Sequence, residues 1–138
     1  MRFFIDNCIA KKIAQSIAIL AQGQDQQVTH LTEKFEPDVT DVEWIRALQA
    51  EGDWIIVSAD PRISRNRIEQ AAWQESGLTA FFFSDFSRRR FWAQAQELVN
   101  RWPDIVEAAK GSSPGTGYLV KPRQKDFEVI FRPRQQQP

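Results

Sequence analysis

The sequence predicts an α/β protein built on a parallel sheet, and three features carry that prediction. Three short apolar runs, residues 3–5, 54–57 and 78–83, and a weaker one at 26–31 alternate with stretches of helical periodicity, the pattern of βαβ units. The apolar runs lack the alternation of a half-solvated strand, as expected where both faces are buried. Carboxylates, Asp6 and Asp60, close the first and third runs, at the edge where open α/β sheets place their ligand sites.

Residues 3–5 form the first predicted strand, ended by Asp6. Ile9, Ile13, Ile17 and Leu20 then recur every three or four residues, which predicts a helix with one buried stripe, terminated at Gly23. The weak second strand at 26–31 leads into a loop over 33–39 that contains Pro37. Thr40, Asp41, Val42 and Glu43 have the form of a capping box, so a helix is expected there that buries Trp44, Ile45 and Leu48 and closes at Gly52. Residues 54–57 are the third strand. A helix-permissive segment from Pro61 to about Glu75 sets Ile68, Ala72 and Trp73 on one side, and Gly77 breaks it before the fourth strand at 78–83. Strong 3.6 periodicity over 88–109 predicts helix again, with Pro103 at the first position of a second helix. GSSPGTG at 111–117 is a turn or link. Residues 118–120 and 127–131 flank a polar turn and predict a β-hairpin. The Gln-rich tail, 135–138, reads as disordered.

Composition narrows the function classes. With 138 residues and 42% apolar content the chain fits one domain with a real core. Its 18 basic and 18 acidic side chains cancel, so any attraction to nucleic acid has to be local. A single cysteine, Cys8, excludes an intramolecular disulfide and a zinc motif, and the single His30 argues against histidine-rich metal chemistry. Cys8 lies beside Asp6 with no histidine partner in view, which argues against a nucleophile. No apolar run spans a bilayer and the start lacks the apolar core of a signal peptide, so a soluble, cytoplasmic protein without membrane contact is expected.

Each carboxylate has a local explanation. Asp60 before Pro61 makes a good helix cap, Asp41 suits a first helical turn, and Asp6 can cap the helix after it. Together they say more. Carboxylates brought to one edge repel and each favours a nearby cation. A hard ion such as Mg²⁺ prefers an all-oxygen site, activates water and shields a phosphodiester as charge builds.

This grammar resembles that of PIN domains, in which an acid closes the first strand, another opens a middle helix, and Thr/Ser-x-Asp closes the third strand. The corresponding positions are Asp6 in FFIDN, Asp41 in TDVEW, and Ser58 and Asp60 in VSAD. HLTEKF, DVEWIRAL and WIIVSADPRI followed by RNRIEQAAW are similar to PIN-like proteins of the VapC toxin type. The resemblance covers roughly residues 1–110, with 111–134 a linker and hairpin appended to the same domain. It implies a PIN-like three-layer α/β/α sandwich with a central, mostly parallel sheet and a short C-terminal β-hairpin. It further implies a ribonuclease dependent on Mg²⁺ or Mn²⁺, with Asp6, Asp41 and Asp60 as catalytic metal ligands. Such proteins are usually the toxin of a toxin–antitoxin pair and commonly dimerise, so an RNA substrate, an antitoxin protein and a homodimer are the expected partners.

One position departs from the pattern. Many PIN domains carry a further acid two residues after the third-strand Asp, where this chain has Arg62. Glu69 is the candidate replacement, or else a solvent-facing helix residue. Asn7 and Ser58 are candidates for orienting the ligands, or else local caps. Arg62, Arg65 and Arg67 read equally as phosphate contacts and as a solvated face. Arg88, Arg89 and Arg90 oppose the dipole of the helix they precede, which favours an anionic partner. Asp85 reads as a cap that approaches the same edge, and Phe81, Phe82, Phe83, Phe86 and the tryptophans read as core. Two rivals remain. A non-catalytic PIN-like module that binds a partner protein or RNA is kept alive by Arg62. A receiver-like phosphoacceptor domain is weak, because only Asp6 and Asn7 follow the first strand and Lys121 is expected outside the α/β core.

Overall fold

The computed structural model describes residues 1–64 and 66–134. Arg65, one of the arginines proposed to meet phosphate, and the tail expected to be disordered, 135–138, lie outside the described residues. The elements keep the expected alternation: β1 (Arg2–Ile5), α1 (Lys11–Leu20), β2 (Gln27–His30), α2 (Leu31–Lys34), α3 (Asp41–Glu51), β3 (Trp54–Ser58), a 3₁₀ turn (Pro61–Ser64), α4 (Arg67–Ser76), β4 (Thr79–Phe83), α5 (Phe91–Gly111), β5 (Gly117–Val120) and β6 (Glu128–Phe131). The strands form one sheet in the order β2-β1-β3-β4-β5-β6, parallel except for the last pair.

The central strands are apolar throughout because both faces are covered. Successive side chains on a strand point to opposite faces. Phe3 and Ile5 therefore join Val57, Phe81 and Phe83 under α1 and α5, while Phe4 joins Ile56 and Phe82 under α3 and α4. On the second face the aromatic rings lock together. Phe4 stacks on Trp44 at 5.0 Å, and Trp73 bridges Trp44 at 5.7 Å and Phe82 at 5.2 Å. Gly117 is required by packing, since a Cβ there would run into the Phe131 ring of the neighbouring strand. β5 lies parallel to β4, so the hairpin continues the sheet, and Lys121, expected outside the α/β core, directly follows a strand of it.

Several helical expectations are corrected. Leu20 is not part of the buried stripe of α1. Ile13, Ala14, Ile17 and Ala21 fill that face, and Leu20 is 62% exposed. The expected loop over 33–39 contains the end of α2, nucleated by His30, whose ring accepts from Thr32 N–H while Glu33 caps His30 N–H. The segment after Asp60 is not one helix. A 3₁₀ turn comes first, and Asn66 then opens α4 by accepting from Ile68 and Glu69 N–H. Of Ile68, Ala72 and Trp73, set on one side by the sequence, Ile68 is 82% exposed and Ala72 is exposed too; the short α4 covers the sheet through Trp73. Pro103 does not split the last helix. Leu98, Trp102, Ile105 and Val106, on both sides of it, enter the same core. The carbonyl of Val99 that Pro103 leaves without an amide partner belongs to an exposed residue, where water can satisfy it. No helix among the described residues is long and apolar enough to cross a membrane.

Candidate functional site

The parallel strands β1 and β3 end side by side, and their ends are stitched together. Asp6 N–H donates to the carbonyl of Val57 at 3.0 Å, extending the ladder by one residue. The buried Ser58 hydroxyl donates to Asp6 Oδ2 at 3.1 Å and accepts from Asp60 N–H at 3.2 Å. Cys8, although much of its surface is exposed, turns its sulfur inward, 3.4 Å from Asp6 Oδ2 and 3.3 Å from Ser58 Oγ, and accepts from Ala59 N–H. Asn7 supports Asp6 through its backbone, donating to Oδ1 at 2.6 Å. The loop after Asp6 is pinned from beneath by His30, whose Nε2 lies 2.8 Å from the Ile9 carbonyl. An imidazole nitrogen facing a carbonyl must carry the proton, so Nδ1 is the acceptor for Thr32.

Asp41 arrives from α3. Thr40 and Glu43 form the predicted capping box, which fixes the start of the helix. Asp41 Oδ1 accepts from Trp44 Nε1 at 3.0 Å and so leaves Oδ2 facing the site. Asp60 both caps and pairs. It accepts from Arg62 N–H at 3.0 Å, and the Arg62 side chain grips its carboxylate, Nε at 3.0 Å from Oδ1 and Nη2 at 2.7 Å from Oδ2. The same guanidinium lies 3.6 Å from Asp41 Oδ2 and 3.6 Å from Glu69 Oε1. Asp6, Asp41, Ser58, Asp60 and Glu69 thus border one small cavity of about 170 Å³, floored by Trp44 and Trp73, with Arg62 among them. Arg67 lies with Arg62 on a neighbouring shallow surface, and Asp85 joins Asp60 on a larger groove.

The electrostatics derive from these hydrogen bonds and from burial. Burial pushes the Asp6 carboxyl above its usual range, against the hydrogen bonds from Asn7, Cys8 and Ser58, and the charge of Asp41 adds to the rise. Hydrogen bonds from Arg62 hold Asp60 below the usual carboxylate range, against partial burial. The Cys8 thiol is pushed up to about 12, by burial first and then by the Asp6 charge, so it stays protonated at neutral pH and is no thiolate nucleophile.

Residues 1–85 match the family model of the PIN-like domain, which is more than half of the chain, and the chain belongs to that family. Neither a curated protein nor a solved structure matches it. The fold is that of a nuclease-type domain, and the family implies a divalent ion. The donor chemistry suits a hard cation, since carboxylate and hydroxyl oxygens line the cavity. The arrangement does not. Among the described residues no three acidic, histidine or cysteine side chains converge closely enough to hold an ion, and both oxygens of Asp60 are engaged by Arg62. The Arg62 guanidinium supplies a positive charge among these carboxylates, within 3.6 Å of Asp41 and Glu69 and paired with Asp60. Sequence reasoning passed over the Cys8–Ser58 link, because nothing local in CIA or VSA announces a contact across two strands.

Proposed function

We propose that the chain is a PIN-like ribonuclease that hydrolyses RNA phosphodiester bonds with Mg²⁺ or Mn²⁺, and that it is the toxin of a toxin–antitoxin pair. The observation that carries this reading is the gathering of Asp6, Asp41, Asp60 and Glu69 around one cavity at the carboxyl edge of the sheet in a member of the PIN-like family. A divalent ion supplies Lewis-acid polarisation at such a site. The chain's own residues then have distinct tasks. With Arg62 withdrawn from Asp60, the residues that would hold the cation are Asp6, Asp41 and Asp60. Ser58 and the Asn7 amide hold the Asp6 carboxylate in one orientation, and Trp44 holds that of Asp41. A guanidinium so withdrawn would be available to pair with a substrate phosphate. The toxin assignment, the antitoxin partner and the homodimer rest on the likeness of HLTEKF, DVEWIRAL and WIIVSADPRI to the VapC type.

A second reading is favoured by the Arg62–Asp60 grip. If the guanidinium permanently replaces the ion, the domain is a non-catalytic module that binds RNA or protein. Cleavage of end-labelled RNA in Mn²⁺ decides between them. In metalloenzymes, loss of a residue that merely supports a ligand costs about 10–100-fold, so Asp6→Asn and Asp60→Asn, which remove ligands, are expected to lose on the order of 100-fold or more. Cleavage by both variants at the parent's rate would show that these acids are not the hydrolytic centre.

A further inference from the structure

The balanced charge of the chain, 18 basic against 18 acidic, conceals an uneven distribution. A groove of about 800 Å³ runs between one face of α5 with its preceding loop and the turn joining β5 to β6. Its charged walls are Arg89, Arg101, Lys121, Arg123 and Lys125 against the one acid Glu97. Glu97 is taken up by Arg89 at 2.5 Å, and Lys121 reaches Glu128 at 2.8 Å. Arg101 is held in place over the Phe127 ring at 4.8 Å and donates to the Lys125 carbonyl. Arg123 and Lys125 are exposed and form no ion pair among the described residues; Asp126 beside them does not line the groove. Lys121, Pro122 and Gln124 also border a second groove of about 800 Å³, which leads to Ser84, Asp85 and Asp60. The basic groove thus shares Lys121, Pro122 and Gln124 with a second groove that reaches Asp60 at the rim of the acid cavity and also carries Asp85 and Glu128.

A single small anion needs one cation. A row of cations along a groove suits a repeating negative charge, and a basic groove whose neighbour opens on Asp60 suits a strand that must be presented there. We infer that the groove between α5 and the hairpin is the path along which the phosphodiester backbone of a single-stranded RNA reaches Asp60. The inference deepens the ribonuclease reading and rests on it for what happens at the end of the path, while the binding itself needs no catalysis.

The test is fluorescence anisotropy of a labelled single-stranded RNA on the full chain in EDTA, over a series of salt concentrations. The variant is Arg123→Asn with Lys125→Ser; asparagine suits the positive φ of 65° at position 123. Lys11→Ser with Lys12→Ser, on the exposed start of α1, removes the same charge elsewhere. Removing the cations that neutralise two phosphates of a single strand lowers the salt slope by roughly 1.4, which is roughly a 25-fold weakening near 0.1 M salt, whereas the α1 variant stays within about twofold of the parent. Three results would overturn the inference: no RNA binding by the parent, equal weakening in both variants, or displacement of RNA by polyglutamate at equal affinity, which would mark the groove as a site for an acidic protein. Adding Mn²⁺ separates the two claims. RNA bound in the groove but never cleaved sinks the nuclease reading alone, and RNA cleaved equally by the parent and the hairpin variant sinks the groove alone.

Discussion

Asp6 and Asp60 show how two carboxylates at one edge acquire opposite tendencies. Asp60 is gripped by a guanidinium and stays ionised, whereas Asp6 is enclosed by β1, β3 and the Cys8 thiol and resists ionisation. Linkage sets the sign for stability. A carboxyl whose pKa is raised on folding binds its proton more tightly in the native state. Its contribution is fully present below the unfolded value, about 3.9, and is lost as pH rises through the raised native value. Asp6→Asn is therefore expected to melt at a higher temperature than the parent at pH 7, with the gap closing toward pH 4, as checked by thermal unfolding across that range. A variant that melts lower than the parent at pH 7 would show that the hydrogen bonds to Asp6 outweigh its burial. At this scale the sequence announced the acids but not their states. Strand-end carboxylates are visible in FFIDN and VSAD. That Arg62 folds back on Asp60 depends on a 3₁₀ turn that the segment's helical composition hides.

At the scale of elements, local signals worked where they were chemically complete. Thr40 and Glu43 satisfy each other's neighbouring amides, and α3 begins where they do. They failed where tertiary packing overrode them. Pro103 is a strong stop signal in a peptide, yet α5 runs through it because Leu98 and Trp102 before it and Ile105 and Val106 after it share one core. Pro103→Ala restores an amide to the ladder at an exposed position and removes the ring from the preceding turn. It is expected to raise stability by about 1–3 kcal/mol, the lower end allowing for the stiffer unfolded chain that proline gives. Urea denaturation checks this, and a loss of stability would mean that the helix is shaped around the proline. His30 is legible as a core histidine only with Ile9 above it; its link to the loop after Asp6 joins residues that no local pattern connects.

On the scale of the whole molecule, the sheet order brings distant acids together. β1 and β3 are neighbours although α1, β2, α2 and α3 lie between them in sequence, and this places Asp6 beside Ser58 and Asp60. The alternation of elements made the parallel sheet legible, whereas strand order and the parallel docking of β5 on β4 are tertiary facts with no local signature. The hairpin thereby frames a groove on each side of its turn, one basic and one leading to Asp60. On the ribonuclease reading the acid cavity is a cation site whose cation at rest is the Arg62 side chain. Calorimetric titration of Mn²⁺ into the parent, Arg62→Gln and Asp60→Asn tests it most directly. Weak binding is expected of the parent, binding tighter by on the order of tenfold, ~1.4 kcal/mol, in Arg62→Gln, and none in Asp60→Asn. Equal binding by all three, or none by Arg62→Gln at millimolar Mn²⁺, would contradict it.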